Sequence, residues 1–577
     1  MDLVLTFDFG MMREINSSKG MSEYIDHIVN PEIMEKYNYK TYAFFSNWYF
    51  NKDNEDIFSY KNINIGNAFR IAIWNDITYR VRLLVNLLAV KKLQYEKMLI
   101  GIEDKATHEV INFLDMKTQE WAPETEQMRP EYFFPIFRWM DEKIYPSGYK
   151  ETLKKIFTVL LEGCKTVGEK IGLAKNAETD IFVHHYHPTV GIIERLNNSR
   201  EINVILEKFT WGKNILRGKR LPVAGSLKKC EQLSEKMISR FNDQKVSTFL
   251  IEGDDASELL YPAILMRVSK LLPHCLRIVD SINRYFAGRK LRLVVSITNI
   301  GLTNSLMQNY CREKNVPIYI IINGLLTYAF LDDAKDATWI NSYGESIKKH
   351  YFSGMDNIVC LGDPRMDRYA KNENELKINY KKPTIVVGAA GFDNVDLNSY
   401  LAYEFEFLND IMKACECLKE RGREMDLIIK VRPNGYIQQY RDFVEEYYPD
   451  MPVRLFDSIP MKQVYSKADL YISIYSQTLF EASCLGIPVL YYKKDTQYLH
   501  PPFDGKSELV TAFTTDDLIK KIEAFYNRDK IYDSFKDVEV MGKYIGPLDG
   551  KNLDRNMDFI HAIISGDVKR GGQTSIH

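Results

Sequence analysis

The sequence predicts an α/β chain of two Rossmann-like domains facing a cleft, with irregular insertions in the N-terminal one. Three observations carry this expectation. Short apolar runs alternate with amphipathic helical patterns nearly throughout, as in parallel sheets joined by crossover helices. At 577 residues the chain is longer than one hydrophobic core serves. A polar, lysine-rich stretch from Glu373 to Lys382 separates two alternating series and reads as an interdomain linker and hinge. The expected division is 1–372, with an insertion at about 115–150, then 383–553, then a last helix and tail, 554–577, crossing back.

Composition narrows the class. The chain is 45% hydrophobic and 27% charged with a net charge of −2, so no nucleic-acid partner is expected. Eight cysteines are scattered without a CxxC pair, which reads as reduced thiols rather than a zinc site or a disulfide frame. The start, Met1 to Phe7, lacks a basic segment ahead of its short apolar run, so no signal peptide is expected. The longest apolar helical run, Val81 to Val90, is broken by Arg82 and falls short of the ~18 residues of a membrane span. A cytoplasmic protein is expected. The basic residues Lys213, Arg217, Lys219, Arg220, Lys228 and Lys229 suit peripheral contact with the inner membrane face or a phosphorylated acceptor; a solvated charged face is the alternative.

Along the chain, residues 2–9 read as a buried strand and 67–95 as a helix. Lys97 to Gly101 reads as a strand delivering Glu103 and Asp104 to a helix start, where acidic residues suit the dipole. Asp180 to Val183 reads as a strand ending in His184, His185 and His187. No carboxylate at ligand spacing accompanies these histidines, so no metal is expected; contact of His187 with a sugar or phosphate competes with simple capping. Phe249-Leu250-Ile251 leads into Glu252, Gly253, Asp254 and Asp255, a carboxylate-rich turn suited to holding a proton or a metal, or to capping. Leu291 to Ile322 reads as a βαβ unit with its polar turn at Thr298 to Leu302.

After the linker, strand Thr384 to Val387 runs into the small-residue loop Gly388 to Gly391, which would let a phosphate approach closely. Asp426 to Val431 is a second strand ending in Lys430, Arg432, Pro433 and Asn434. Leu470 to Ser473 is a third, followed by Ser476, Gln477 and Thr478 and a short helix bearing Glu481. Strand ends, hydroxyls at a helix start and a carboxylate one turn on are what such a sheet offers a nucleotide.

Several of these elements resemble one group of proteins. Gly362-Asp363-Pro364-Arg365-Met366-Asp367 is similar to the G-x-P-R-x-D element of CDP-glycerol glycerophosphotransferases and related capsule enzymes. Lys430-Val431-Arg432-Pro433 resembles the K-x-H-P element of those enzymes and of Kdo- and sialic-acid-transferring capsule proteins. Asp469 through Glu481, and Gly486-Ile487-Pro488-Val489, resemble two further elements in the same order. The resemblance covers roughly residues 290–500 and implies a GT-B-like, metal-independent transferase of bacterial surface-polysaccharide synthesis. There are two departures: Arg432 stands where the group carries histidine, and Glu252-Gly253-Asp254-Asp255 is the nearest approach to its acidic base motif.

The implied reaction moves a sugar from a nucleotide-activated donor, cytidine-linked by the resemblance, to a polysaccharide or lipid-linked glycan, with no cofactor required. On the donor side stand Lys430, Arg432, Asn434, Arg365 and Gly391, with Ser473, Ser476, Gln477 and Thr478 as hydrogen-bond donors and Glu481 on a ribose hydroxyl. Glu252, Asp254, Asp255 and His187 are the acceptor-base candidates. Polyol-phosphate transfer from a CDP-alcohol, a two-domain sugar-nucleotide epimerase and a catalytically silent nucleotide- or glycan-binding subunit remain as alternatives.

Overall fold

The computed structural model describes residues 2–6, 21–24, 28–93, 97–100, 105–117, 119–120, 160, 177–207, 219–221, 225–297, 301–324, 337–370, 377–389, 403–433, 437–494 and 499–568. The expected insertion at 115–150, the linker residues 373–376 and the tail beyond 568 lie largely or wholly outside these residues.

Three parallel sheets organise the described residues, as the strand–helix alternation predicts. The first has four strands in the order β2-β1-β3-β4, with β1 Asp2–Thr6, β2 Met21–Tyr24, β3 Lys97–Ile100 and β4 Gln119–Glu120. The second has seven, ordered β13-β12-β11-β10-β5-β6-β7. Its strands are β5 Thr179–Val183, β6 Ile202–Leu206, β7 Lys219–Arg220, β10 Leu291–Ile297, β11 Ile318–Ile321, β12 Trp339–Asn341 and β13 Ile358–Val359. The described part of residues 1–372, expected as one domain, therefore holds two parallel sheets. The third has six, ordered β16-β15-β14-β17-β18-β19, with β14 Thr384–Ala389, β15 Asp426–Val431, β16 Val453–Phe456, β17 Leu470–Ser473, β18 Val489–Tyr492 and β19 Thr511–Ala512.

Residue alternation explains how the third sheet is clad. Along a strand, successive side chains point to opposite faces. Ile385, Val387, Leu427, Ile429, Leu470 and Ile472 enter one core, which the helix α4 (Tyr403–Glu420) covers through Phe407, Ile411 and Cys415. Val386, Ile428 and Tyr471, on the other face, join the large core that runs through the N-terminal half. One apolar layer is thus continuous across both halves. The last helix, α6 (Asn552–Ser565), contributes to it by lying on the seven-stranded sheet, with Phe559 against Tyr319 and Trp339.

Buried asparagines fix that helix in place. Asn556 Oδ1 accepts from Tyr319 Oη at 2.6 Å and from Asn341 Nδ2 at 3.0 Å. Both carboxylate oxygens of Asp367 cap its first turn, accepting from the N–H groups of Asn552 (2.9 Å) and Leu553 (2.7 Å). Gly362, at φ +78°, leaves the space that the Asn552 side chain fills. Among the described residues no helix is long and apolar enough to cross a membrane.

Candidate functional site

In a parallel sheet, ligands bind beyond the carboxyl ends of the strands, where the strand order reverses. The seven-stranded sheet reverses between β5 and β10, and the six-stranded sheet between β14 and β17. The two crevices face one another. Gly324, just past β11, would place a Cβ 3.9 Å from Oε1 of Gln477, just past β17. His187, past β5, lies within electrostatic reach of Glu481 on the short helix α5 (Thr478–Cys484).

At the β14–β17 crevice the small-polar turn folds into a hydroxyl chain. Ser473 Oγ donates to the Gly388 carbonyl at 2.8 Å and so ties the two strand ends together. Gly388 has no room for a Cβ, because the Tyr471 hydroxyl occupies that space. Tyr471 Oη donates to Thr478 Oγ1 at 2.7 Å, and Thr478 Oγ1 lies 2.7 Å from Ser476 Oγ. Ser476 Oγ also accepts from the Thr478 N–H at 3.2 Å. With the Thr478 proton directed to Ser476, the Ser476 proton is left to donate to a ligand.

Lys430 is buried. Its ammonium donates to the carbonyls of Val431 (2.6 Å) and Asp457 (2.8 Å), pinning the end of β15 to the loop after β16. Burial lowers its pKa, with the Asp457 carboxylate opposing. Arg432 is half-buried directly past β15. Asn434 and Gly391 lie outside the described residues. Asp469 carries structure, since its carboxylate accepts from the N–H groups of Asn379 and Thr384, both at 2.8 Å, and anchors the start of β14.

Between the crevices runs a chain of ion pairs. The fully buried Asp363 receives Arg365 through Nε (3.0 Å) and Nη2 (2.7 Å). Arg365 Nη2 also lies 3.2 Å from Tyr343 Oη, which donates to the Ile322 carbonyl. Gln477 Nε2 reaches Asp363 Oδ2 at 3.4 Å, joining this cluster to the β17 turn. Glu481 is held on three sides: by Arg368 Nη2 at 3.0 Å, Tyr369 Oη at 2.9 Å and Tyr465 Oη at 3.3 Å. Burial lowers the His187 pKa, Arg365 and Arg368 lower it further, and Glu481 opposes them. Burial, then His187, lower that of His185.

The charges of this cluster cancel: Arg365 against Asp363, Arg368 against Glu481. The Arg365 side chain is 13% exposed and Asp363 fully buried, so that pair is fixed. Arg368 is 57% exposed; a surface pair of this kind is worth at most about 1 kcal/mol. Of the two cations, Arg368 is the one in the more exposed pair.

At the β5–β10 crevice, His184 Nε2 lies 3.7 Å from Oε2 of Glu207, the residue after β6. The expected histidine cluster thus splits, with His184 turned to a carboxylate and His187 to arginines. Among the described residues no group of histidine, cysteine and carboxylate side chains could hold a metal ion.

The remaining base candidates fall elsewhere. Leu250–Ile251 (β8) pairs antiparallel with Asp254–Asp255 (β9), a hairpin separate from the three parallel sheets. Glu252 forms its exposed turn and pairs with Lys92 at 2.6 Å. Asp255 caps the helix α2 (Ser257–Phe286) by accepting from the Ser257 N–H at 2.9 Å, and Asp254 is exposed on β9. Among the described residues none of the three joins the His187 cluster. The sequence reading missed Glu207, although it too is a carboxylate directly after an apolar run. It also missed Tyr343, Tyr369 and Tyr465, whose hydroxyls meet Arg365 and Glu481 only in three dimensions.

No family model and no curated protein matches the chain. Among solved structures it is similar to a putative UDP-N-acetylglucosamine 2-epimerase from Listeria monocytogenes, at 13% identity and TM-score 0.44 over 70% of this chain and 100% of that one. The Neisseria meningitidis UDP-GlcNAc 2-epimerase bound to UDP-GlcNAc matches at 13% identity and TM-score 0.42, over 66% of this chain and 99% of that one. MurG of Acinetobacter baumannii matches at 12% identity and TM-score 0.38, over 67% and 99%. The two-crevice architecture stands on the strand orders themselves.

Proposed function

We propose that the protein transfers a sugar from a nucleotide-activated donor to a hydroxyl of a surface-polysaccharide or lipid-linked glycan acceptor. One observation carries this reading. Two strand-order reversals face each other, and residues from both, His187 and Glu481, meet around Arg365 and Arg368. The nucleotide lies in the β14–β17 crevice, with Ser476 donating to a donor oxygen. Arg432 and Arg368 face the phosphate, and departure of the charged nucleotide is assisted by these cations and by the neutral imidazole of His187. Lys430, Ser473 and Asp363 hold the crevice in shape. Glu481 binds a ribose hydroxyl once Arg368 has turned away.

The motif resemblance supports a cytidine donor. The test is release of nucleotide from CMP-N-acetylneuraminate, UDP-N-acetylglucosamine and CDP-glycerol, with product analysis. A glycoside from the CMP donor supports the reading in full. Turnover of the uridine donor alone keeps the transferase and replaces the base. A new phosphodiester from CDP-glycerol identifies a polyol-phosphate transferase instead. The presence of Arg432 where resembling enzymes carry histidine favours a second reading, a catalytically silent binding subunit, because arginine donates no proton near neutral pH. That reading requires nucleotide binding with no product from any donor.

A further inference from the structure

We infer that Glu207, positioned by His184, accepts the proton of the attacking hydroxyl at the β5–β10 crevice, a role that rests on the transfer reaction proposed above. Three features single it out. Glu207 stands directly past β6, beside the strand-order reversal, on the half of the cleft opposite the hydroxyl chain of Ser476. Its side chain is 15% exposed and that of His184 7%, enough to reach a ligand while largely shielded from water. Its carboxylate oxygens lie 3.8 and 3.9 Å from where a Cβ on Gly301 would sit, so bare backbone adjoins it, and the φ of +90° there suits glycine.

The surroundings divide the labour. Helix α3 (Leu302–Glu313) begins at Gly301, and its positive end suits a carboxylate. On the strand between the same elements, Ser296 Oγ donates to Asn304 Oδ1 at 2.7 Å and accepts from Gln308 Nε2 at 2.9 Å. The buried Asn304 Nδ2 has no acceptor among the described residues. His187, one of the four base candidates legible in the sequence, faces two arginines; burial, then the arginines, oppose its taking up a proton. It belongs to the leaving group.

In the step, the acceptor oxygen forms a bond to the anomeric carbon. The bond from that carbon to the donor phosphate oxygen breaks, and its electron pair leaves on the nucleotide. The hydroxyl proton passes to a Glu207 carboxylate oxygen, and the His184 imidazole holds that carboxylate in place.

The assay follows nucleotide release from CMP-N-acetylneuraminate and UDP-N-acetylglucosamine with water as acceptor, beside the melting shift given by CMP and UDP. Expected for Glu207→Gln is a fall in kcat of about 100-fold or more, with the nucleotide-induced melting shift retained. His184→Gln gives a smaller fall in kcat, and formate restores turnover to Glu207→Ala. A Glu207→Gln protein within about threefold of native kcat overturns the assignment and leaves the transferase intact. So does a Glu207→Ala protein that formate does not restore, whatever Glu207→Gln shows. A native protein that binds nucleotide but releases none from either donor overturns the transferase reading, and the base role with it.

Discussion

Replacing Asp363 by alanine strips a buried guanidinium of its counter-ion. Asp363 is fully buried and Arg365 13% exposed. Two nitrogens of Arg365 are committed to that carboxylate, and the Arg365 N–H also donates to it at 2.9 Å. Burial alone would lower the Arg365 pKa; Asp363, then Tyr343, reverse this and hold it above the ordinary arginine value. A guanidinium is too basic to lose its proton near neutral pH even without that partner, so the variant buries an uncompensated ion at a cost of about 3–5 kcal/mol. Arg365→Met leaves a buried carboxylate that still accepts the Arg365 main-chain N–H and Gln477 Nε2, so it costs less. In the double variant both charges are gone, and its cost falls below the sum of the singles by up to about 3 kcal/mol. Urea unfolding followed by tryptophan fluorescence measures all three. An Asp363→Ala cost below about 1 kcal/mol, additive with Arg365→Met, would refute the buried pair and with it the rigid joint between the crevices.

Other outcomes are expected from the same geometry. Arg368→Ala, at an exposed pair, changes stability by at most about 1 kcal/mol yet weakens nucleotide binding about tenfold by titration calorimetry; unchanged affinity would remove Arg368 from the phosphate. Asp367→Ala loses the cap on α6, at about 1–2 kcal/mol in urea unfolding. Gly388→Ala drives a methyl into the Tyr471 hydroxyl, costing about 1–3 kcal/mol and lowering nucleotide affinity by disturbing the Tyr471–Thr478–Ser476 chain. The His187 pKa is depressed below its unfolded value of about 6.5. Its contribution to stability is therefore complete above that pH and is lost as pH falls through the lower folded value. A His187→Asn protein should show a flatter urea midpoint than native between about pH 6.5 and the folded value.

What the sequence made legible, and what it hid, follows from the range of the forces involved. Strands β14, β15, β17 and β18 are readable because Thr384–Ala389, Asp426–Val431, Leu470–Ser473 and Val489–Tyr492 are short apolar runs bounded by turn residues. Strand order is not, since parallel neighbours are joined by crossovers and no local signal orders them; the facing of the two crevices appears only in three dimensions. Lys430 reads as a basic turn because nothing local marks the Val431 and Asp457 carbonyls as its acceptors. Glu252, Asp255 and Glu207 give the same sequence signal, a carboxylate after an apolar run. One ends in an ion pair with Lys92, one in a cap and one beside His184. Of the G-x-P-R-x-D element, Arg365 reads as donor-binding. In the structure Gly362 makes room for Asn552, Asp363 forks Arg365 and Asp367 caps the last helix, so much of its chemistry goes into joining the halves.

The most direct test of the facing-crevice transferase is a melting-temperature series of the native protein and Ser476→Ala with CMP, CDP, UDP, GDP and ADP, each well above the micromolar range. A ligand that binds only the folded state raises the melting point, by about 2.7 kcal/mol of stability at 100 times its dissociation constant. Stabilisation by a pyrimidine nucleotide, reduced in Ser476→Ala, is the predicted result. No stabilisation of the native protein by any of the five would contradict a nucleotide site in the β14–β17 crevice.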